Sequence, residues 1–213
     1  LHDDVIDGDI MRRGRPNLIG HLMADHATGR DASHGLLSPD LHWARTGAIL
    51  MGDLLLSHAH QVFARAAVDE HTRIRLLDAL DHAIVETVAG EHTDVALSHG
   101  MVEPDLTTIL SMTAYKTATY SFELPLKVAT ALAGADAGME PSLVDAGRYL
   151  GLAFQMQDDL LSTFGDAAEH GKDAYSDLRE GKQTVIMAYA RMTSAWPSIE
   201  VALAAASSDK DFA

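Results

Sequence analysis

Apolar residues recur three and four positions apart along almost every long segment of this chain, and no run alternates strictly between apolar and polar positions as a half-buried strand does. The pattern predicts an all-α chain. A helix over 41–66 follows Ser38-Pro39-Asp40, where Ser38 suits a side-chain cap and Pro39 suits the first helical position. Further helices are predicted around 70–99, 104–134, 140–164 and 182–195, with Glu103-Pro104-Asp105 and Glu140-Pro141-Ser142 marking two of the starts. Pro125 lies inside the 104–134 run. It lacks a backbone donor and crowds the preceding turn, so a kink is expected there. The stretches 24–38 and 165–176 are rich in Gly and polar residues and read as loops. With no internal repeat, low-complexity tract or interdomain linker, residues 1–213 are expected to form a single helical domain.

Composition narrows the class. A chain of 213 residues with 47% hydrophobic and 22% charged residues is long enough to bury a core and has the balance of a soluble globular protein. It contains no run of eighteen uncharged apolar residues and no secretory layout at its start, which predicts a cytoplasmic protein without an integral membrane segment. Its first residue is Leu, so the natural start is expected upstream. The absence of cysteine excludes disulfides, a thiol nucleophile and thiolate metal ligands. A formal net charge of −15 argues against nucleic acid as a partner, because that binding depends on neutralising phosphates with a basic surface. Anionic small molecules remain compatible, since a divalent metal bridges carboxylates to phosphates.

The candidate chemistry begins in "LHDDVIDGDIMRRGRPN". On a helix Asp3 and Asp7 share one face, with Asp4 to the side. Crowded carboxylates repel unless a cation neutralises them, and an oxygen-only set of this kind suits magnesium. Alone, the cluster reads equally well as a solvated acidic helix end. A second cluster, Asp158-Asp159 in "FQMQDDLLSTFGD", lies on another predicted helix with Gln155 just before it. Cations accompany both: Arg12 and Arg13 after the first, Lys116 in "YKTATYSFELP", and Lys172, Arg179 and Lys182 in "GKDAYSDLREGKQT". Carboxylates for a metal and cations for phosphate oxygens together point to a diphosphate held by magnesium.

These strings, with "GAILMGDLLL", "GEHTD" and "KTATYSF", run in order along most of the chain and resemble the trans-prenyltransferases, the polyprenyl diphosphate synthase family. The resemblance implies a large helical bundle around a central cavity with the aspartate-rich motifs at its mouth. It further implies condensation of isopentenyl diphosphate with an allylic diphosphate to an all-trans, short- or medium-chain product such as farnesyl or geranylgeranyl diphosphate. Asp3, Asp7 and Asp158 match the family's magnesium ligands, with Asp4 and Asp159 supporting them. Arg12, Lys116 and Lys172 match groups that hold the allylic diphosphate, and Lys182 lies in the same matching string. Arg13 matches an isopentenyl diphosphate contact. Thr117 and Gln155 match polar groups near the reacting carbons, Tyr120 a tyrosine near the diphosphates, and Asp94 a contact to metal-bound water. By the same analogy three Mg²⁺ ions are expected with substrate bound, with Mn²⁺ as a substitute, and the protein is expected to be a homodimer.

The chain departs from the family pattern in several places. Ser162 stands where a further aspartate is usual, so Asp158 through Asp166 also resembles the second metal motif of class I terpene cyclases. A cyclase is therefore the alternative enzyme, although "RRGRP", "KTATYSF" and "SDLREGKQT" fit a synthase with two diphosphate sites. A non-catalytic subunit of a heteromeric synthase is the other alternative, opposed by the intact aspartates. Asn17 replaces a common Thr and Glu91 a usual Gln; Glu91 adds negative charge near the expected allylic diphosphate. The resemblance also implies helices before the first motif and after residue 213 that this sequence does not contain, so product length is not readable. The 12 histidines show no ligand spacing; His58 and His60 are two apart, on different faces of a helix. Met51, Met112, Met156 and Met187 fall at core-like positions, and Phe122 and Phe154 are candidates to face a carbocation.

Overall fold

The computed structural model describes residues 1–27, 39–136, 138–165, 176–179 and 181–208. They belong to two compact units, Leu1–Ala66 and Ala67–Ala213. Ser38, Asp166 and Lys172 lie outside the described residues.

In the first unit, α1 (His2–Asp7) ends at Gly8, whose φ of 76° is the left-handed conformation that a helix terminus commonly needs. A short hairpin follows, β1 (Met11–Arg12) pairing antiparallel with β2 (Arg15–Pro16), Arg12 opposite Arg15. Its turn residues Arg13 and Gly14 both have positive φ, 53° and 70°, which matches the twist of a two-residue hairpin. These strands are too short for any alternation to show in the sequence. Asn17 then caps α2 (Leu18–Ala27): its Oδ1 accepts from the Gly20 N–H at 3.0 Å while its Nδ2 donates to the Asp9 carbonyl at 2.7 Å. The departure at Asn17 is thereby explained, since an amide reaches both partners. α2 was not expected, and it converts the first residues of the predicted 24–38 loop into helix. α3 (Pro39–Ala64) packs Leu41, Ala44 and Ala48 on Ile19, with Val5, Leu18, Leu22 and Met23 around them. Small alanines on α3 let the neighbouring elements come close.

The second unit opens with α4 (Glu70–Ser98), capped by Asp69, and α5 (Leu106–Thr113), capped by Asp105. The predicted 104–134 helix is corrected here into three pieces: α5, a π-helix over Ala114–Glu123, and α6 (Leu124–Ala133). The Leu124 N–H donates to the Thr119 carbonyl five residues back, and Pro125, which has no N–H to give, sits in the first turn of α6. Two glycines press the π-helix between its neighbours. A Cβ on Gly90 of α4 would lie 2.4 Å from the Lys116 nitrogen, and one on Gly151 of α7 (Met139–Phe164) would lie 2.4 Å from the Ala118 Cβ. Glu123, fully buried, ends the segment in an ion pair with Arg148 of α7, Nε to Oε1 at 2.7 Å. α8 (Ser176–Arg179), α9 (Val185–Arg191) and α10 (Trp196–Ser208) follow; the expected 182–195 helix is thus a short α9 capped by Thr184, and α10 was not predicted. Leu97, Ile109, Met112 and Ala188 form a core here. Met112 and Met187 are buried as expected, whereas Met51 is exposed. No helix among the described residues is long and apolar enough to cross a membrane.

The two caps carry a pH signature. Backbone hydrogen bonding from Thr72 holds the Asp69 carboxyl below the usual range, and the Thr108 hydroxyl does the same for Asp105, helped by the Thr108 N–H. A carboxyl whose pKa is lower in the folded state stabilises fully above its unfolded pKa of about 4 and loses that contribution as pH falls through the folded value. Between pH 6 and pH 3 the melting temperature is therefore expected to fall less in an Asp69→Asn/Asp105→Asn variant than in the parent. Parallel falls in thermal scans would remove the cap assignment.

Candidate active site

Two carboxylate clusters carry the candidate chemistry, one in each unit. On α1, Asp3 and Asp7 are half-buried one helical turn apart, and Asp4 is only 3% exposed. The hairpin folds Arg12 back onto this helix. Its Nε and Nη2 donate to Asp4 Oδ1 at 3.0 and 2.6 Å, and Nη2 also reaches Asp3 Oδ2 at 3.3 Å. The Asp4 hydrogen bond raises the guanidinium pKa against the opposing effect of burial. Arg12 thus offsets the crowding of the aspartates from within the protein. Arg13 stands exposed at the hairpin tip. The sequence reading missed His2 as a support: its Nε2 lies 3.1 Å from both Asp53 Oδ1 and the Ile49 carbonyl. The ring lies over Gly52, where a Cβ would come within 2.5 Å of it. The adjacency of Gly52-Asp53 inside "GAILMGDLLL" was the available signal.

In the second unit the π-helix and α7 are joined by a chain of donors. The Thr117 hydroxyl donates to Gln155 Oε1 at 3.0 Å, and Gln155 Nε2 donates to Asp159 Oδ1 at 2.8 Å. Asp159 is buried and Asp158, its neighbour, is half-buried. One residue before Thr117, Lys116 Nζ donates to Asp94 Oδ2 at 2.6 Å and lies 2.9 Å from Glu91 Oε2. Burial by itself lowers the Lys116 pKa, but Asp94 and Glu91 outweigh it and hold the ammonium above its ordinary value. Tyr120 is 52% exposed on the same segment. Phe122 and Phe154 pair with ring centroids 5.8 Å apart, and Phe154 remains half-exposed.

Ser162 has a partner that the sequence did not reveal. Its hydroxyl donates to the Asp177 carboxylate of α8, and its oxygen lies 3.2 Å from the Asp159 carbonyl. An aspartate at 162 would oppose Asp177, whereas serine ties α7 to α8. The backbone N–H of Lys182 closes the following turn onto the Asp177 carbonyl at 2.9 Å. Among the described residues no three His, Asp or Glu side chains converge as a ready-made metal cage. Asp3 and Asp7, half-buried one turn apart on α1, are oxygen donors of the kind magnesium takes, a hard cation that binds one or two carboxylates and completes its shell with water and substrate phosphates. His60 and His99 bond the carbonyls of Leu56 and Val95 on their own helices.

The family model for polyprenyl synthetase matches residues 1–211. The chain belongs to the polyprenyl synthetase family. This polyprenyl synthetase chain is 30% identical over 193 residues to a short chain isoprenyl diphosphate synthase of Methanocaldococcus jannaschii, covering 91% of this chain and 51% of that relative. It is 34% identical over 188 residues to a (2E,6E)-farnesyl diphosphate synthase of Mycobacterium bovis, covering 87% of this chain and 45% of the relative. The crystal structure of a geranylgeranyl pyrophosphate synthase from Corynebacterium glutamicum, complexed with isoprenyl diphosphate and magnesium, matches 98% of this chain and 57% of its own. Its TM-score is 0.83 at 31% identity, which establishes the all-α isoprenoid synthase fold for the polyprenyl synthetase chain. The chain spans about half the length of the curated relatives it matches.

Proposed function

We propose that the full-length protein is a magnesium-dependent prenyltransferase that joins isopentenyl diphosphate to an allylic diphosphate, giving an all-trans prenyl diphosphate of short or medium length. The observation that carries this reading is the donor chain Thr117–Gln155–Asp159 beside Lys116, which sets a cation, two polar groups and the second aspartate pair on two packed helices of a polyprenyl synthetase. Asp3, Asp7 and Asp158 are the proposed magnesium ligands, and bound magnesium supplies positive charge to the departing diphosphate. Three ions with substrate bound, and Mn²⁺ as a substitute, complete the proposal. Lys116 adds a part-buried positive charge for the allylic diphosphate; Lys182 and Lys172 are assigned the same task and Arg13 the isopentenyl diphosphate.

The reaction balances without a redox step. The allylic carbon–oxygen bond breaks, the isopentenyl double bond attacks the allylic cation to form a carbon–carbon bond, and the proton then lost passes to the released diphosphate. Thr117 and Gln155 orient polar atoms near the reacting carbons, and apolar helix faces exclude water that would quench the cation. Arg12 is assigned the allylic diphosphate as well, and its contacts with Asp3 and Asp4 hold it beside the α1 carboxylates. A cytoplasmic homodimer completes the reading, by analogy with the family.

The test uses the full-length protein with magnesium, labelled isopentenyl diphosphate and dimethylallyl, geranyl or farnesyl diphosphate in turn, with products identified by mass spectrometry. Linear diphosphates longer by five-carbon units are expected. Cyclic hydrocarbons from an allylic diphosphate alone would reinstate the terpene cyclase, which the named synthase relatives oppose. Absence of any product would favour the non-catalytic subunit.

A further inference from the structure

Lys116 is a part-buried cation of the second unit, and it is shared. Asp94 and Glu91 lie one turn apart on α4 and both reach its ammonium, at 2.6 and 2.9 Å. Asp94 already supplies a carboxylate to this ammonium, and Glu91 adds a second negative charge beside it. Gln at 91 would remove that charge with nearly the same shape, because an amide oxygen also accepts from a lysine. The side chains of Lys116, Glu91 and Asp94 are only 21%, 18% and 11% exposed, where charge is poorly screened and a single extra carboxylate matters more than on an open surface. Gly90 sets the spacing: its missing Cβ lets the α4 backbone meet the backbone of Lys116 itself, so Glu91 and Lys116 are held opposite each other by main-chain contact.

We propose that Glu91 is a positioning residue that weakens the hold of this protein on the allylic diphosphate by sharing Lys116. The inference rests on the reading of Lys116 as an allylic diphosphate contact. Every allylic primer carries the same diphosphate, so the weakening applies to all of them alike, while the isopentenyl diphosphate contacts are unaffected.

The test compares full-length parent, Glu91→Gln, Lys116→Gln and the double variant. Calorimetric titration with inorganic diphosphate and magnesium is run beside steady-state assays in which each substrate is varied. In Glu91→Gln we expect about tenfold tighter diphosphate binding, equivalent to about 1.4 kcal/mol. The KM for the allylic substrate should fall similarly, with the KM for isopentenyl diphosphate unchanged. The gain should vanish in the Lys116→Gln background, which a merely structural role for Glu91 does not predict. Unchanged or weaker diphosphate binding in a Glu91→Gln protein that melts like the parent would overturn the inference, as would a gain that survives the loss of Lys116. If the parent forms no prenyl diphosphate, the proposed activity fails, yet the titrations with inorganic diphosphate still decide the role of Glu91.

Discussion

Replacing Asp158 by alanine in the full-length protein is expected to lower prenyl transfer by about three powers of ten or more, which is about 4 kcal/mol of barrier. The size follows from the charge balance at the step where the carbon–oxygen bond ionises. One further unit of negative charge gathers on the departing diphosphate as the bond's electron pair leaves with it, and a lost metal ligand removes part of the compensation when it is most needed. Asp158 is the informative choice among the carboxylates. It is half-buried on α7, so its removal leaves the packing in place and circular dichroism should show unchanged helix. Asp159 is a poorer probe, since it is buried and accepts from Gln155, and its loss disturbs the link to Thr117 as well. Asp3→Ala should match Asp158→Ala in rate. Turnover close to that of the parent in either variant, with magnesium present, would end the assignment of these carboxylates as metal ligands.

The second large effect is steric. Gly151→Ala is expected to destabilise the protein by about 3 kcal/mol, the upper part of the range for overpacking. The new Cβ would lie 2.4 Å from the Ala118 Cβ and 2.5 Å from the Ala118 Cα, and a backbone atom cannot step aside as a flexible side chain can. α7 and the π-helix must then separate. The Thr117–Gln155 bond spans the same two elements at 3.0 Å, so separation weakens it too, and activity should fall about tenfold in the molecules that remain folded. Gly138→Ala is the control. It sits at the start of α7 with φ of −74° and would meet nothing closer than 3.8 Å. Urea titrations that show the same midpoint for both variants would contradict the close approach of α7 to the π-helix.

Long helices were legible because periodicity and punctuation agreed. α3, α4 and α7 each carry repeated apolar positions over 26 residues or more, and each begins within two residues of the start that the sequence signals indicated. The π-helix was not legible. Its residues, Ala-Tyr-Lys-Thr-Ala-Thr-Tyr-Ser-Phe-Glu, have nothing that distinguishes them from an α-helix, and i to i+5 pairing appears where α4 and α7 pack against it at Gly90 and Gly151. The hairpin at Arg13-Gly14 escaped for another reason, since two-residue strands are shorter than the period by which strands are recognised.

For the site, the kinds of chemistry were set by the chain alone: aspartates four apart on a helix share a face whatever surrounds them, and a lysine or arginine nearby carries its charge into any fold. What the tertiary structure decided was who pairs with whom. Arg12 turns to Asp3 and Asp4, Ser162 to Asp177, Lys116 to both Asp94 and Glu91, and Gln155 bridges Thr117 and Asp159. Most of these partners come from different helices or turns, and a contact across 22 or 38 residues depends on how helix faces pack and on where a missing Cβ lets two backbones meet. The extent of a long amphipathic helix and the charge of its side chains are local properties that a sequence determines by itself; the π-helix and the sharing of one part-buried ammonium between two carboxylates exist only once α4, α7 and the segment between them have closed on each other.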